Sequence, residues 1–391
     1  MRSANRSGAG RLTAWGQLSA RLTGRLGSRR RLSARLRAGR RLSAVGLAVL
    51  LVTVAASLTG CGPGGVVLGH DWQGAELLAL AKVNGQRVVI GIDPSGLRSE
   101  NLIVIASKTQ DDPVLGARIT HAAGGPWLVT VPARQAPNLL YRVDAAQEAL
   151  VGVGTIEAGR GVLPVGPRVV TVAAGSRAVG LLDASSGRVT RTWPSPVAAA
   201  YAAGSAAPDT LCVAHSGASG VRVAAVALAT GRVSSTITLA ARSVTAFGCR
   251  HGRPLLVSSA VPPAGSPSTG SASTGSASAT SAELRRGPST GVDELVVRGA
   301  VATAVATSDD SIFVALSNNA RSEVLELDGR TGERVRQTAV DGLPVVRGLY
   351  RTAKGLVALG DERAAVIGAT GSAYAFKLPG TLIAAPDVAS D

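Results

Sequence analysis

The chain has 391 residues, of which 46% are hydrophobic and 17% charged, with a formal net charge of +16. That length and apolar content suffice for a full-sized core or two domains and exclude a wholly disordered chain. Gly at 48 positions without a three-residue period excludes collagen and points to many tight turns.

The charge is unevenly placed. Twelve arginines fall within residues 1–41, and no acidic residue precedes Asp71, which leaves 29 basic against 25 acidic residues in the rest. A near-balanced body argues against a nucleic-acid groove or channel, which needs a contiguous basic stripe.

Behind the arginines comes the uncharged run LSAVGLAVLLVTVAASLTG, residues 42–60, in the order of an export signal: basic stretch, apolar run, small residues. It ends in Leu58-Thr59-Gly60-Cys61. This resembles the lipobox of bacterial, actinobacterial-type lipoproteins. The resemblance implies cleavage between Gly60 and Cys61 and acylation of the Cys61 thiol, with palmitate among the chains carried. The competing reading is an uncleaved transmembrane anchor, since the run is close to spanning length. Both attach the chain to a membrane, and positive charge before the run sends residues 61–391 to the outer face. Leu12, Trp15, Leu18, Leu22 and Leu26 recur at helical spacing within the leader. The near-repeats RLTA, RLTG and RLSA equally fit low-complexity sequence or an early start codon. Export by the general or the twin-arginine route stays open.

From residue 76 the sequence is a series of short Val/Ile/Leu/Ala runs broken by Gly, Pro, Asp and Ser. Examples are RVVIGID (87–93), NLIVIAS (101–107), PWLVTVP (126–132), RVVTVAAG (168–175), RPLLVSSA (253–260), SIFVALS (311–317) and KGLVALG (354–360). These are strands by length, composition and flanking turns. Between them recurs a hairpin mark with an acidic or polar opener and a closing glycine. It is clear at Gly187, Gly231, Gly332 and Gly371, and weaker at Gly96, Glu148 and Gly291. The intervals are 52, 39, 44, 60, 41 and 39 residues. About forty residues suffice for a four-stranded antiparallel sheet, and such a period marks a propeller. The long interval contains SPSTGSASTGSASATS at 266–281, a flexible insertion by composition.

The expected fold is therefore all-β: a β-propeller of seven four-stranded blades, with six or eight left open and a pair of β-sandwiches as competitor. The expected boundaries are leader and signal at 1–60, a flexible tether at 61–75, the propeller at 76–380 with a low-complexity insertion at 262–290, and a tail at 381–391. The hairpins resemble those of quinoprotein-like and WD40/YVTN-like propellers, in which the turn joins the two outer strands of a blade.

No catalytic residue is singled out, and no metal site is expected. His70, His121, His215 and His251 lack ligand spacing, and Asp111-Asp112 and Asp309-Asp310 lack the alternating ligands of a calcium loop. No GxSxG, HExxH or P-loop motif occurs. Cys212 and Cys249 sit in comparable regions of neighbouring repeats, so a disulfide between them is feasible and would staple blades. The quinoprotein resemblance raises a redox quinone, but eleven aromatics in the chain are too few for the usual stacked site, so no cofactor is expected. The reading is a lipid-anchored, extracytoplasmic binding or scaffolding protein with an envelope protein or peptide partner. The alternative is a hydrolase or lyase on the same fold.

Overall fold

The computed structural model describes residues 61–62, 65–105, 117–132, 137–157, 160–173, 177–205, 209–234, 236–240, 244–260, 281–286, 291–317 and 321–389. Among these residues all regular structure is strand. Seven sheets follow one another along the chain, and together they form a seven-bladed β-propeller.

Blades 2, 3, 4, 6 and 7 are plain antiparallel meanders running from the innermost strand outward. Their innermost strands are Arg118–His121, Arg160–Val165, Tyr201–Ser205, Val301–Thr307 and Gly348–Thr352. Blade 1 takes its three outer strands from the start of the ring, Leu77–Val83, Gln86–Asp93 and Arg98–Ile105. Its innermost strand, Thr381–Ala384, comes from the end of the chain. The stretch expected as a tail thus closes the ring. The expected tether is also engaged. Cys61–Gly62 pairs with Val66–Val67, Val66 is 1% exposed, and the Asn101 side-chain amide donates to the Val67 carbonyl at 3.0 Å.

Blade 5 departs from the meander. Its order is Ala246–Arg250, Arg253–Ala260, Asp293–Arg298 and, outermost, Ser281–Arg286. Asp293–Arg298 lies parallel to Arg253–Ala260, because the chain crosses to the rim before turning back. Part of the expected insertion is therefore a strand of the blade. The turn containing Gly291 still joins the two outer strands, but in reversed chain order. The parallel pairing keeps it on the same face of the ring as the turns of the other blades.

The core is divided among the blade contacts. Seven clusters of buried Val, Leu, Ile and Ala correspond to the seven interfaces between neighbouring blades, the last of them joining blade 7 to blade 1. The second strands are buried on both faces, as in Leu211–Ala214 and Val314–Leu316, which is why their sequences read as continuous apolar runs. The contact between blades 4 and 5 is split, with a five-residue cluster beside a smaller one of Cys212, Ala225 and Cys249. There Cys212 of the second strand of blade 4 is bonded to Cys249 of the innermost strand of blade 5, with Cα atoms 5.6 Å apart. Beside this bond Arg250, 7% exposed, reaches from blade 5 into blade 6 and donates to the carbonyls of Ser308 at 3.1 Å and Gly329 at 2.8 Å.

The repeated turns have a packing role. Asp183 accepts hydrogen bonds from Ser185 and Ser186, and these hold its carboxyl down at about 2. Asp328 accepts from the N–H groups of Thr331 and Arg330, which lower its pKa. In four blades the turn glycine rests on the outermost strand of the preceding blade: Gly187 on Gly154, Gly231 on Trp193, Gly332 on Leu284 and Gly371 on Arg336. Trp193, 4% exposed with Arg191 over its ring, fills the contact between blades 3 and 4. At Gly231 (φ +71°) a Cβ would overlap the Trp193 ring, whereas at Gly291 (φ +68°) it would meet nothing. In the Asp93–Arg98 turn the left-handed residue is Leu97 rather than Gly96, and in the next blade it is Glu148.

Two predictions follow from these contacts. Gly231→Ala combines left-handed strain of about 1–2 kcal/mol with overpacking of about 1–3 kcal/mol, whereas Gly291→Ala carries the strain alone. Denaturant unfolding of both variants is expected to show the larger loss at Gly231, and equal losses would remove the turn-on-strand contact as a source of stability. Replacing Cys212 and Cys249 together with Ala opens a cross-link spanning 37 residues. The expected cost is about 3–4 kcal/mol from chain entropy, and an unchanged unfolding midpoint would contradict the staple.

Candidate functional site

The innermost strands of a propeller pair on one edge only, so their other edges surround a central channel of unpaired backbone groups. Here the channel has a volume of about 750 Å³ and is lined by the innermost strands of blades 2 to 7. The innermost strand of blade 1 does not line it; residues 386–389 do. Asp387–Val388 adds to the inner edge of blade 2 as a fifth strand, parallel to Arg118–His121, with Asp387 opposite Thr120 and Val388 opposite His121. The Ala389 N–H donates to the His121 carbonyl at 3.0 Å. Residues 386–389 thus run along the wall of the channel.

Charge in the channel follows from strand direction. All innermost strands run the same way, so Arg118 and Arg160, which open their strands, and Arg347, which immediately precedes one, share one mouth. Arg351 lies toward the other end of its strand. Among the described residues Asp387 is the one carboxylate of the lining. Arg160 is paired with Glu157 at 2.7 Å and Arg347 with Asp361 at 2.8 Å, both outside the lining. Arg118 is exposed and favours the ionised form of Asp387.

Asp387 is half-buried on the wall of the channel. Desolvation raises its pKa to about 6, against the opposing pull of Arg118. Tyr350, across the lining, is raised well above its ordinary value by burial and by the Asp387 charge. The Asn138 side chain, 4% exposed and on the same lining, has an Oδ1 with no hydrogen-bond partner. Perturbed titration and unsatisfied polar atoms converging in one cavity are the physical marks of a binding or reaction site.

The other sequence-derived candidates fall elsewhere. Leu58, Thr59 and Gly60 lie outside the described residues, as do Asp111 and Asp112, and only the backbone of Cys61 is described. Among the described residues no helix is long and apolar enough to cross a membrane. His70 pairs with Glu148 at 2.9 Å, His121 stacks on Trp127, and His251 occupies a turn with φ 47°. Among the described residues no His/Cys/Asp/Glu group could hold a metal ion. Gly187, Gly231, Gly332 and Gly371 belong to turns between the two outer strands of single blades, on the face opposite the Arg118 mouth. Sequence reasoning did not single out Arg118, Arg160, Arg347, Tyr350 or Asp387. The available signal was an arginine at or just before the start of three innermost strands.

No protein-family model matches the chain, and no curated protein matches it. Solved structures do resemble it. A chain of a structure titled "Crystal Structure of Mitotic Checkpoint Complex" is 13% identical, with a TM-score of 0.47 over 73% of this chain and 83% of that one. The Cps50 (Swd1) β-propeller domain of Myceliophteria thermophila is 13% identical, with a TM-score of 0.36 over 55% and 66%. The dihydro-heme d1 dehydrogenase NirN in complex with DHE is 13% identical, with a TM-score of 0.45 over 77% of this chain and 62% of its own. At such identities and scores none of them carries a functional argument.

The Asp387 shift gives a pH prediction. A carboxyl whose pKa rises from 3.8 to about 6 on folding binds its proton more tightly in the folded state. Its contribution is therefore fully present below about pH 4 and declines as pH rises to about 6. Amide exchange at Ala389 is expected to be slower at pH 5 than at pH 7.5 after correction for intrinsic rates. Asp387→Asn is expected to remove the difference, and a pH-independent protection factor in the native protein would contradict the shift.

Proposed function

We propose that this protein is a membrane-anchored, extracytoplasmic lipoprotein whose propeller binds a protein or peptide partner. The observation that carries the binding reading is the channel edge of blade 2, where the innermost strand pairs with an added extended segment. An open strand edge gives affinity through backbone hydrogen bonds, and flanking side chains give selectivity. The anchor rests on Leu58-Thr59-Gly60-Cys61 behind an apolar run and an arginine cluster. The Cys212–Cys249 disulfide supports an oxidising compartment, since such bonds persist outside the cytosol.

One observation favours the second reading, a hydrolase or lyase. Asp387, raised to about 6, shares the channel with Arg118 and Tyr350 and has the pKa of a group able to exchange protons near neutrality. Against it, the carboxyl belongs to a short segment added at the channel wall.

Metabolic labelling with a fatty acid, joined to mass spectrometry of the amino-terminal peptide, tests the anchor. The native protein is expected to carry lipid on Cys61 and to sediment with membranes, and Cys61→Ala is expected to lose both. Equal lipid and membrane retention in the variant would overturn the lipoprotein reading.

A further inference from the structure

The segment in the channel is held by a short ladder, by burial of Pro386 and by packing of Val388 on the cluster between blades 7 and 1. Its ladder is two residues long, and Pro386 before it has no N–H to extend the pairing. Placing the Asp387 carboxylate there costs desolvation, against the favourable charge of Arg118. The seat itself is specific. It offers the backbone edge of Arg118–His121 and a guanidinium at Arg118, in a channel of about 750 Å³. The other two arginines at that mouth already hold carboxylates of their own, Glu157 and Asp361.

We infer that the inner edge of blade 2 is a recognition site for an extended peptide bearing a carboxylate side chain, and that Asp387–Ala389 occupies it as an internal stand-in. The seated segment shows the chemistry of the ligand: an extended backbone parallel to Arg118–His121, with an acidic side chain opposite Thr120. Removing the segment leaves blade 1 intact, because the closing strand ends at Ala384. This inference rests on the binding reading above and narrows it to one edge and one ligand class. It also makes the carboxy terminus a competitor. A tethered segment acts at an effective concentration in the millimolar range, so the intact chain should bind free peptide weakly.

The test uses the full chain and a chain ending at Ala384, each titrated with a fluorescent heptapeptide of sequence Ala-Pro-Asp-Val-Ala-Ser-Asp, that of residues 385–391. The shortened chain is expected to bind it at least tenfold more tightly than the intact one. Arg118→Ala in the shortened chain is expected to weaken binding about tenfold, as is a peptide with Asn in place of its first Asp. If the shortened chain does not fold, Asp387→Ala with Ala389→Pro in the full chain frees the same edge, removing the carboxylate and the N–H to His121. Absence of peptide binding by a folded, freed protein would overturn the inference, as would equal binding by intact and freed chains or indifference to Arg118. Such failures would leave acylation of Cys61 and capture of a partner at another surface standing, so the two readings fail separately.

Discussion

Each blade of this ring can bury its two apolar faces only against its two neighbours, and every other feature of the fold answers to that constraint. A four-stranded sheet has no core of its own, so stability resides in seven inter-blade layers of Val, Leu, Ile and Ala. With only eleven aromatics in the chain, these layers are built from small branched side chains. Such residues fill the space well but reach a short distance, which explains why the turns take part. A glycine at the turn lets one blade settle on the outer strand of the blade before it, and Trp193 serves where a larger gap must be filled. The layer between blades 4 and 5, split into two small clusters, is the one carrying the disulfide. It is also where the strand order of blade 5 departs from the meander.

A ring of this kind is incomplete until its last blade meets its first. Thr381–Ala384 supplies that closure by pairing with Leu77–Val83, so residues from distant parts of the chain, such as Leu80 and Ala384, share one sheet. Because the closing strand is innermost, the chain emerges from it into the channel rather than at the rim. The segment 386–389 is therefore delivered to the inner edge of blade 2 by the same strand that closes the ring. Closure and channel occupancy are two consequences of one topological choice.

Much of this was legible in the sequence, for identifiable physical reasons. Strands buried on both faces must be apolar throughout, so PWLVTVP, SIFVALS and KGLVALG announced themselves. Turns with a fixed hydrogen-bonding scheme need Asp and Gly at set positions, so the period of about forty residues showed the blades. Apart from NLIVIAS in blade 1, the innermost and outermost strands were obscure because they are short or one-sided. Arg188–Pro194, for example, is exposed at every position but Trp193 and so has no apolar signature. The reversal in blade 5 left no trace, since the Gly291 turn stays on the same face whichever way its strands run. Thr381–Ala384 read as a tail because pairing across the whole chain is invisible to local pattern. The channel residues were hidden for the same reason: Arg118 and Asp387 meet only once the ring has closed.

The account of function depends on that closure, since the channel, its Arg118 mouth and its occupant exist only in the completed ring. The direct measurement is thermal unfolding of a chain ending at Gly380, which lacks the closing strand, beside one ending at Ala384, which keeps it. The account predicts that the longer of the two retains a cooperative transition near that of the intact protein, while the shorter loses it or melts far lower. Equal melting of both chains would contradict closure by Thr381–Ala384.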